Sequence, residues 1–428
     1  MASYAVPVSQ RERIGLAALR RDGSWPVYVL FLGIPVWWLL GVRHFMWPVV
    51  ATGMALSLLQ RKGVKLPATV AIWTLFLAWF VVTGVGLDTF GRLAGFALRF
   101  SFYASAGIFL IYLFNSPQIT SRAIVQALAG FWVCVVIGGY LGVLFPTLEF
   151  HTPIEPFVPG ALISNDYVHD MTHARFAEVQ SFLGYPIGRP TTFFTYTNGW
   201  GSGFGLLLPF AFAAVAISKR GPWRRVLIVA LAASVVPAII SLNRGLWISL
   251  LVAGIYVTLR FVAARHPARA LRLLAGAGIL AAVIFISPLG SLIGERLDHG
   301  QSNQARGALY QETFSRVAGS PLVGYGSPRP AEGSSYLDSV GTQGQVLYLV
   351  FSHGYPGLLL FFGWLAHGFF KSRWPTSPPQ MAGHVALLIA AVQAPFYGLL
   401  VQMFVIVAAM VVALRPQYRS LPEGVHGG

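Results

Sequence analysis

The sequence predicts an all-α integral membrane protein of about twelve transmembrane helices, with both termini cytoplasmic and two long extracytoplasmic loops. Three observations carry that expectation. Of 428 residues, 55% are hydrophobic and 10% charged, against roughly 25% charged in soluble domains. Apolar runs of about 20 residues, the length needed to cross a hydrocarbon core about 30 Å thick, fill most of the chain. Lys and Arg gather in alternate loops rather than on one stretch.

Taken in order, apolar runs broken by charge and by Pro/Gly clusters place spans near 27–42, 45–59, 67–83, 90–114, 124–145, 197–216, 223–240, 246–262, 271–286, 346–370, 381–398 and 399–414. The last two share one run through Gln393-Ala-Pro-Phe-Tyr-Gly398, which at roughly 34 residues makes two spans more naturally than one. The first 24 residues are polar and basic, so no cleavable signal peptide is expected. Alternating the spans puts 20 of the 30 Lys/Arg and 3 of the 14 Asp/Glu on the side of the termini, and 10 and 11 on the other. The basic clusters Arg11–Arg21, Arg61-Lys62-Lys65, Lys219–Arg225, Arg260–Arg272 and Lys371–Arg373 follow the positive-inside rule. The net charge of +16 therefore reports topology. It does not imply a nucleic-acid partner, which needs a basic folded surface with stacking aromatics.

The whole chain, 1–428, reads as one transmembrane domain in a plasma membrane. Its long segments are 146–196 and 287–345, the second with a helical stretch over Gln304–Val317. Loops of that length usually carry function or are disordered. They also hold most of the chemically versatile side chains, which places any chemistry outside the cytoplasm. The single cysteine, Cys134, sits in an apolar span and reads as a small buried hydrophobe.

Outer arginines are the most informative set. Arg92 and Arg99 are seven residues apart, so on a helix they lie within about 20° of one another and roughly 10 Å apart along the axis. Arg99 is thus below the surface, where an ionisable group marks a functional site or snorkels and pairs for structural reasons. Arg189, Arg244 and Arg306 add three guanidiniums on the same side. Arginines without lysines suit bidentate recognition of phosphate oxygens, and at a membrane the matching polyanion is a lipid-linked diphosphate. His169 and His173 have a spacing that sets both imidazoles on one helix face, open to a metal with Asp166, Asp170 or Glu178. The preferred reading is a polar helical lid, with no metal and no cofactor. Gly199–Gly205 reads as close helix packing, and no Walker lysine motif occurs.

Four stretches resemble the O-antigen ligase and O-antigen polymerase superfamily of bacterial membrane glycosyltransferases, a GT-C-like group. They are Arg189-Pro-Thr-Thr-Phe-Phe-Thr-Tyr-Thr-Asn198, Ser241-Leu-Asn-Arg244-Gly245, Arg306-Gly-Ala-Leu-Tyr310 followed by Ser320-Pro-Leu-Val-Gly-Tyr-Gly326, and Gly341-Thr-Gln-Gly-Gln through His353-Gly354-Tyr-Pro-Gly357. The resemblance covers about 185–370. It implies a polyprenyl-diphosphate-linked glycan as donor, a glycan or glycolipid acceptor, no metal, and an extracytoplasmic active site in the bacterial plasma membrane. By position, Arg244 and Arg306 match the family's diphosphate-binding arginines, with Arg189, Arg92 and Arg99 as further substrate-binding candidates. Where family ligases carry a histidine this chain has Gln343, which hydrogen-bonds but does not accept a proton at neutral pH. Glu312, Asp338 and His353 are then the alternatives for the base. Two other function classes compete: a flippase or transporter for lipid-linked oligosaccharide, which predicts charges through the depth of the bundle, and a noncatalytic scaffold.

Overall fold

The computed structural model describes residues 23–160, 166–181, 183–298, 301–331 and 339–415, and these described residues are 70% helical with almost no sheet. The first apolar run is not one helix. It forms α1 (Trp25–Phe31) and α2 (Ile34–Leu39), because Pro35 lacks an N–H and Gly33 packs so closely on Trp37 and Val29 that the chain turns there. Then follow α3 (Met46–Leu59), α4 (Ala68–Val82, extended by a 3-10 turn to Gly86), α5 (Phe90–Phe114) and α6 (Ser121–Leu144). Thr89 and Thr120 cap α5 and α6 by accepting N–H bonds in their first turns.

The first long segment holds two antiparallel hairpins and a short helix: β1 (Glu149–His151), α7 (Asp166–Thr172), β2 (His173–Arg175), β3 (Ala177–Gln180) and β4 (Ile187–Pro190). β1 pairs with β2 and β3 with β4. Next come α8 (Thr197–Ile217), α9 (Pro222–Ala233), α10 (Val235–Ile240), α11 (Arg244–Ala263) and α12 (Pro267–Ile286). The second long segment carries α13 (Pro288–Asp298), α14 (Gln301–Val317, the helix expected over Gln304–Val317) and the pair β5 (Arg329–Pro330) and β6 (Ser339–Val340). The chain closes with α15 (Gln345–Lys371), α16 (Pro378–Gln393) and α17 (Met403–Leu414).

Among the described residues, eight helices are long and apolar enough to cross a membrane: Ala68–Gly86, α5, α6, α8, the α9–α10 pair, α11, α12 and α15. Side chains pointing outward from these helices are large and apolar, as on Leu251, Leu259, Ile279 and Phe285, which fits a hydrocarbon surrounding. α17 is the hub. Met403 to Ala413 are all buried, as expected of a helix apolar on every side, and α5, α15 and α16 pack around it.

α15 is broken. Gly354 takes φ 64° and ψ −175°, and Pro356 follows. Among apolar helices the freed backbone groups need partners inside the protein, and the segment Pro321–Gly326 supplies most of them. Tyr325 N donates to Phe351 O (2.9 Å), Gly326 N to Ser352 O (2.7 Å), and Tyr355 N to Pro321 O (2.9 Å). Trp79 Nε1 covers His353 O at 2.9 Å. Two of the family-like stretches therefore meet as one device, a re-entrant turn seated on a helix break.

The starts of α5, α8, α11 and α15, both long segments and the turn 394–402 lie at one end of the bundle. Contacts spanning Arg92 to Tyr325, Asn243 to Thr197, Tyr310 to Pro395 and Gln345 to Ala394 tie them together. We call it the loop end, and the opposite one the basic end.

Candidate anion-binding site

A cavity of about 830 Å³ opens at the loop end, lined by residues of β3, β4, α11, α13, α14 and the turn 394–402. Its size falls in the range of small-molecule sites. Three arginines from distant parts of the chain line it: Arg189, Arg244 and Arg296. Glu178 is the one carboxylate among the described lining residues, so the wall is net positive.

The turn before α11 explains how these side chains converge. Leu242 adopts φ 50°, a conformation costly for a non-glycine residue, and three contacts hold it. Arg189 Nε donates to Ser241 O at 2.7 Å, Arg296 Nε donates to Leu242 O at 3.4 Å, and Asn243 caps α11 by accepting Leu246 N at 3.3 Å. Asn243 also receives the Tyr397 hydroxyl and donates to Thr197 O at 3.3 Å. Arg244 is the first residue of α11, so its guanidinium adds to the partial positive charge of a helix N-terminus, the usual seat of a phosphate.

Glu178 and Arg189 are cross-strand partners in the β3–β4 hairpin. Gln180 bridges them, accepting Arg189 Nη1 and donating to Glu178 Oε1, each at 2.5 Å. The second Glu178 oxygen accepts Thr197 N (3.3 Å) and Thr197 Oγ1 (3.2 Å) at the start of α8. Arg189, 6% exposed, is thereby fixed rather than free to swing. Tyr196, Asn198, Tyr310 and Tyr397 add polar side chains to the lining.

The sequence-based candidates divide by place. Arg189 and Arg244 both line the cavity. Arg306 lies in α14 next to Gly307, which lines the cavity, though its side chain is outside the described residues. Arg92 is engaged elsewhere: it pairs with Asp88 and donates to the carbonyls of Gly86, Tyr325, Ser327 and Pro328. Arg99 lies over the Tyr348 ring at 5.5 Å. His353 is fully buried beside the α15 break, bonded through its ring nitrogens to Thr83 Oγ1 (2.7 Å) and Tyr348 Oη (3.2 Å). Glu312 pairs with Arg316 at 2.6 Å, and Gln343 is half-buried in the turn before α15. None of Arg92, Arg99, Glu312, Gln343 and His353 lines the cavity. Asp338 lies outside the described residues. His169 belongs to α7, but His173 opens β2, so the pair does not share a helix face.

Arg296 was not singled out from sequence, and Glu178 was named there only as a possible metal ligand beside His169 and His173. Arg296 is the buried charged residue of amphipathic α13, near Leu292 and Ile293 in sequence, and that pattern is its one local signal. A second cavity of about 560 Å³, between α8, α11, α12 and α16 toward the basic end, is apolar except for Arg269 and a few hydroxyls and holds none of these candidates. Searches against protein-family models and against curated proteins give no match for this chain.

Proposed function

We propose that the chain is a glycosyltransferase of the bacterial plasma membrane, of O-antigen ligase or polymerase type, with about twelve spans, cytoplasmic termini and the loop end facing away from the cytoplasm. It moves a glycan from a polyprenyl diphosphate to an acceptor hydroxyl. The observation that carries this reading is the convergence of Arg189, Arg244 and Arg296 on one cavity at the start of α11. The basic loops at the opposite end support the orientation.

In the reaction the acceptor oxygen bonds to the anomeric carbon as the bond from that carbon to the diphosphate oxygen breaks, and the polyprenyl diphosphate leaves. Guanidiniums and helix N–H groups preorganised around the leaving diphosphate stabilise the charge that grows on it. That is the service a divalent metal gives elsewhere, and no step here is routed through one. Glu178, the carboxylate in the cavity wall, is the group we assign to take the acceptor proton.

The test is transfer by the purified protein in nanodiscs from a polyprenyl-diphosphate oligosaccharide. Wild type is expected to form product and Arg244→Ala to lose about 10²–10³-fold in rate, with product length separating ligase from polymerase. Tight donor binding without transfer in wild type refutes the reading and favours a flippase.

A further inference from the structure

A second group of side chains lies outside the arginine cavity, in the first long segment. His151 and His173 are directly opposite in the β1–β2 ladder, which sets both imidazoles on one face of the hairpin at close range. Their rings are 4.4 Å apart, centroid to centroid. Glu155, in the turn after β1, folds back between them: its Oε2 is 2.6 Å from His151 Nδ1 and its Oε1 is 3.9 Å from His173 Nε2. The three ligand atoms lie within 4.8 Å of one another. His169 of α7 stacks on His173 with centroids 4.1 Å apart and planes 4° from parallel.

We propose that His151, Glu155 and His173 form a zinc-type divalent metal site, with His169 as the neighbouring imidazole. Tetrahedral zinc with bonds of about 2.0–2.1 Å sets its ligand atoms roughly 3.3–3.4 Å apart; here one Glu155 oxygen hydrogen-bonds His151 Nδ1 at 2.6 Å, the other is 3.9 Å from His173 Nε2, and the three ligand atoms all lie within 4.8 Å, so small side-chain rotations reach that spacing. The hydrogen bonds around His173 select the ligating nitrogen. Thr172, fully buried, donates its one hydroxyl proton to the carbonyls of Val168 (3.1 Å) and His169 (3.2 Å). Its oxygen is 3.0 Å from His173 Nδ1; with the hydroxyl proton on the carbonyls, Nδ1 carries the hydrogen and the Nε2 lone pair is left for the side of the Glu155 carboxylate. Two acceptors facing each other call for a cation between them, and an outer-shell oxygen fixing the tautomer is the usual companion of a histidine ligand. The His151 side chain is 72% exposed while Glu155 and His173 are 22% and 18% exposed, which gives the ion a route from solvent.

The spacing of His169 and His173 led to a lid without metal because two of the ligands, His151 and Glu155, lie 22 and 18 residues before His173 and reach it only through strand pairing. The bound ion ties β1, its turn and β2 into one unit. It braces α7, whose Asp170 is linked to Arg175 (3.1 Å) and to Tyr196, a residue of the arginine cavity. The site stands independently of the proposed transfer reaction.

The full-length protein, purified in detergent without a polyhistidine tag and dialysed against zinc, is expected to retain one zinc per chain. Cobalt substitution is expected to give the visible absorption of a tetrahedral ion. His151→Ala, at an exposed position, and His173→Ala are each expected to abolish that stoichiometric binding. Thr172→Val, which leaves every ligand in place, is expected to weaken it about 10–100-fold, and His266→Ala at the basic end to change nothing. Amide exchange across 149–175 is expected to slow with zinc in wild type and not in His151→Ala. Absence of stoichiometric zinc in wild type, or retention of it by both histidine variants, overturns the site.

Discussion

Gly354→Ala tests the re-entrant turn that seats on the break in α15. At φ 64° and ψ −175° the residue occupies a region essentially reserved for glycine, where another residue costs about 1–3 kcal/mol. A methyl group there runs into Leu322 O, with Leu322 C at 2.5 Å and Pro321 O at 2.7 Å. Those atoms are backbone and move only by lifting the Pro321–Gly326 segment off the helix. That movement breaks the bonds Tyr325 N to Phe351 O, Gly326 N to Ser352 O and Tyr355 N to Pro321 O, each worth about 0.5–1.5 kcal/mol net. The sum is about 3–7 kcal/mol, a large part of a typical folding free energy of about 5–15 kcal/mol. Cys134, the one cysteine and half-buried, gives the assay: thermal unfolding followed by a thiol-reactive dye. The expected midpoint drop is about 3–8 °C. Gly363→Ala, in the same helix with nothing within 4 Å of the new methyl, is the control and is expected to melt at or slightly above wild type. Equal midpoints for the two variants refute the argument.

Arg296→Ala is expected to lower transfer about 10²–10³-fold while the protein still purifies as a monodisperse species, measured by single-turnover product formation. Glu178→Gln keeps the acceptor for Thr197 N and is expected to lose about 10²–10⁴-fold in rate if that carboxylate takes the proton; wild-type turnover would assign the proton elsewhere. His44 accepts Arg43 Nε at 2.9 Å through its Nε2, and burial, aided by Arg43, holds its pKa well below the ordinary histidine value. The unfolded chain therefore binds more protons than the folded one below about pH 6.5. Stability is expected to be full above that pH and to fall as pH drops beneath it, with His44→Gln flattening the fall in melting curves between pH 7.5 and 5. Arg92→Met is expected to destabilise the protein and leave donor affinity per folded molecule unchanged, since the Arg92 guanidinium is spent on Asp88 and four backbone carbonyls.

The long helices were legible because run length alone marks them: α5, α6, α8 and α11 fall where 90–114, 124–145, 197–216 and 246–262 were expected. The interruption at Gly33-Ile34-Pro35 was harder to read, since apolar residues continue through it and composition does not register a turn. Arg189 and Arg244 could be picked out because each sits at the outer end of an apolar run, within a motif-like stretch. Helical spacing put Arg92 and Arg99 on one face, but the destination of the Arg92 guanidinium depends on Tyr325 and Ser327, more than 230 positions away. Arg296 and the His151–Glu155–His173 group were obscured for the same reason. Each is assembled by the return path of a long segment, and no local pattern encodes that path.

The seat for Pro321–Gly326 has a bearing on how the chain is made. One wall of it, at Thr83 and Gly86, crowds Gly326 and Tyr325 from a helix synthesised early. The other wall, Phe351 to Gly354, emerges only after the segment itself. The turn therefore has nowhere to dock until the ribosome has passed α15, and roughly 230 residues of polypeptide must wait with the cleft between α4 and its eventual partner unfilled. Contacts of such sequence separation are slow to form. A defect at Gly324, Gly326 or Gly354 is expected to register first as a chain caught by quality-control proteases during biogenesis, before any loss of turnover in the molecules that mature.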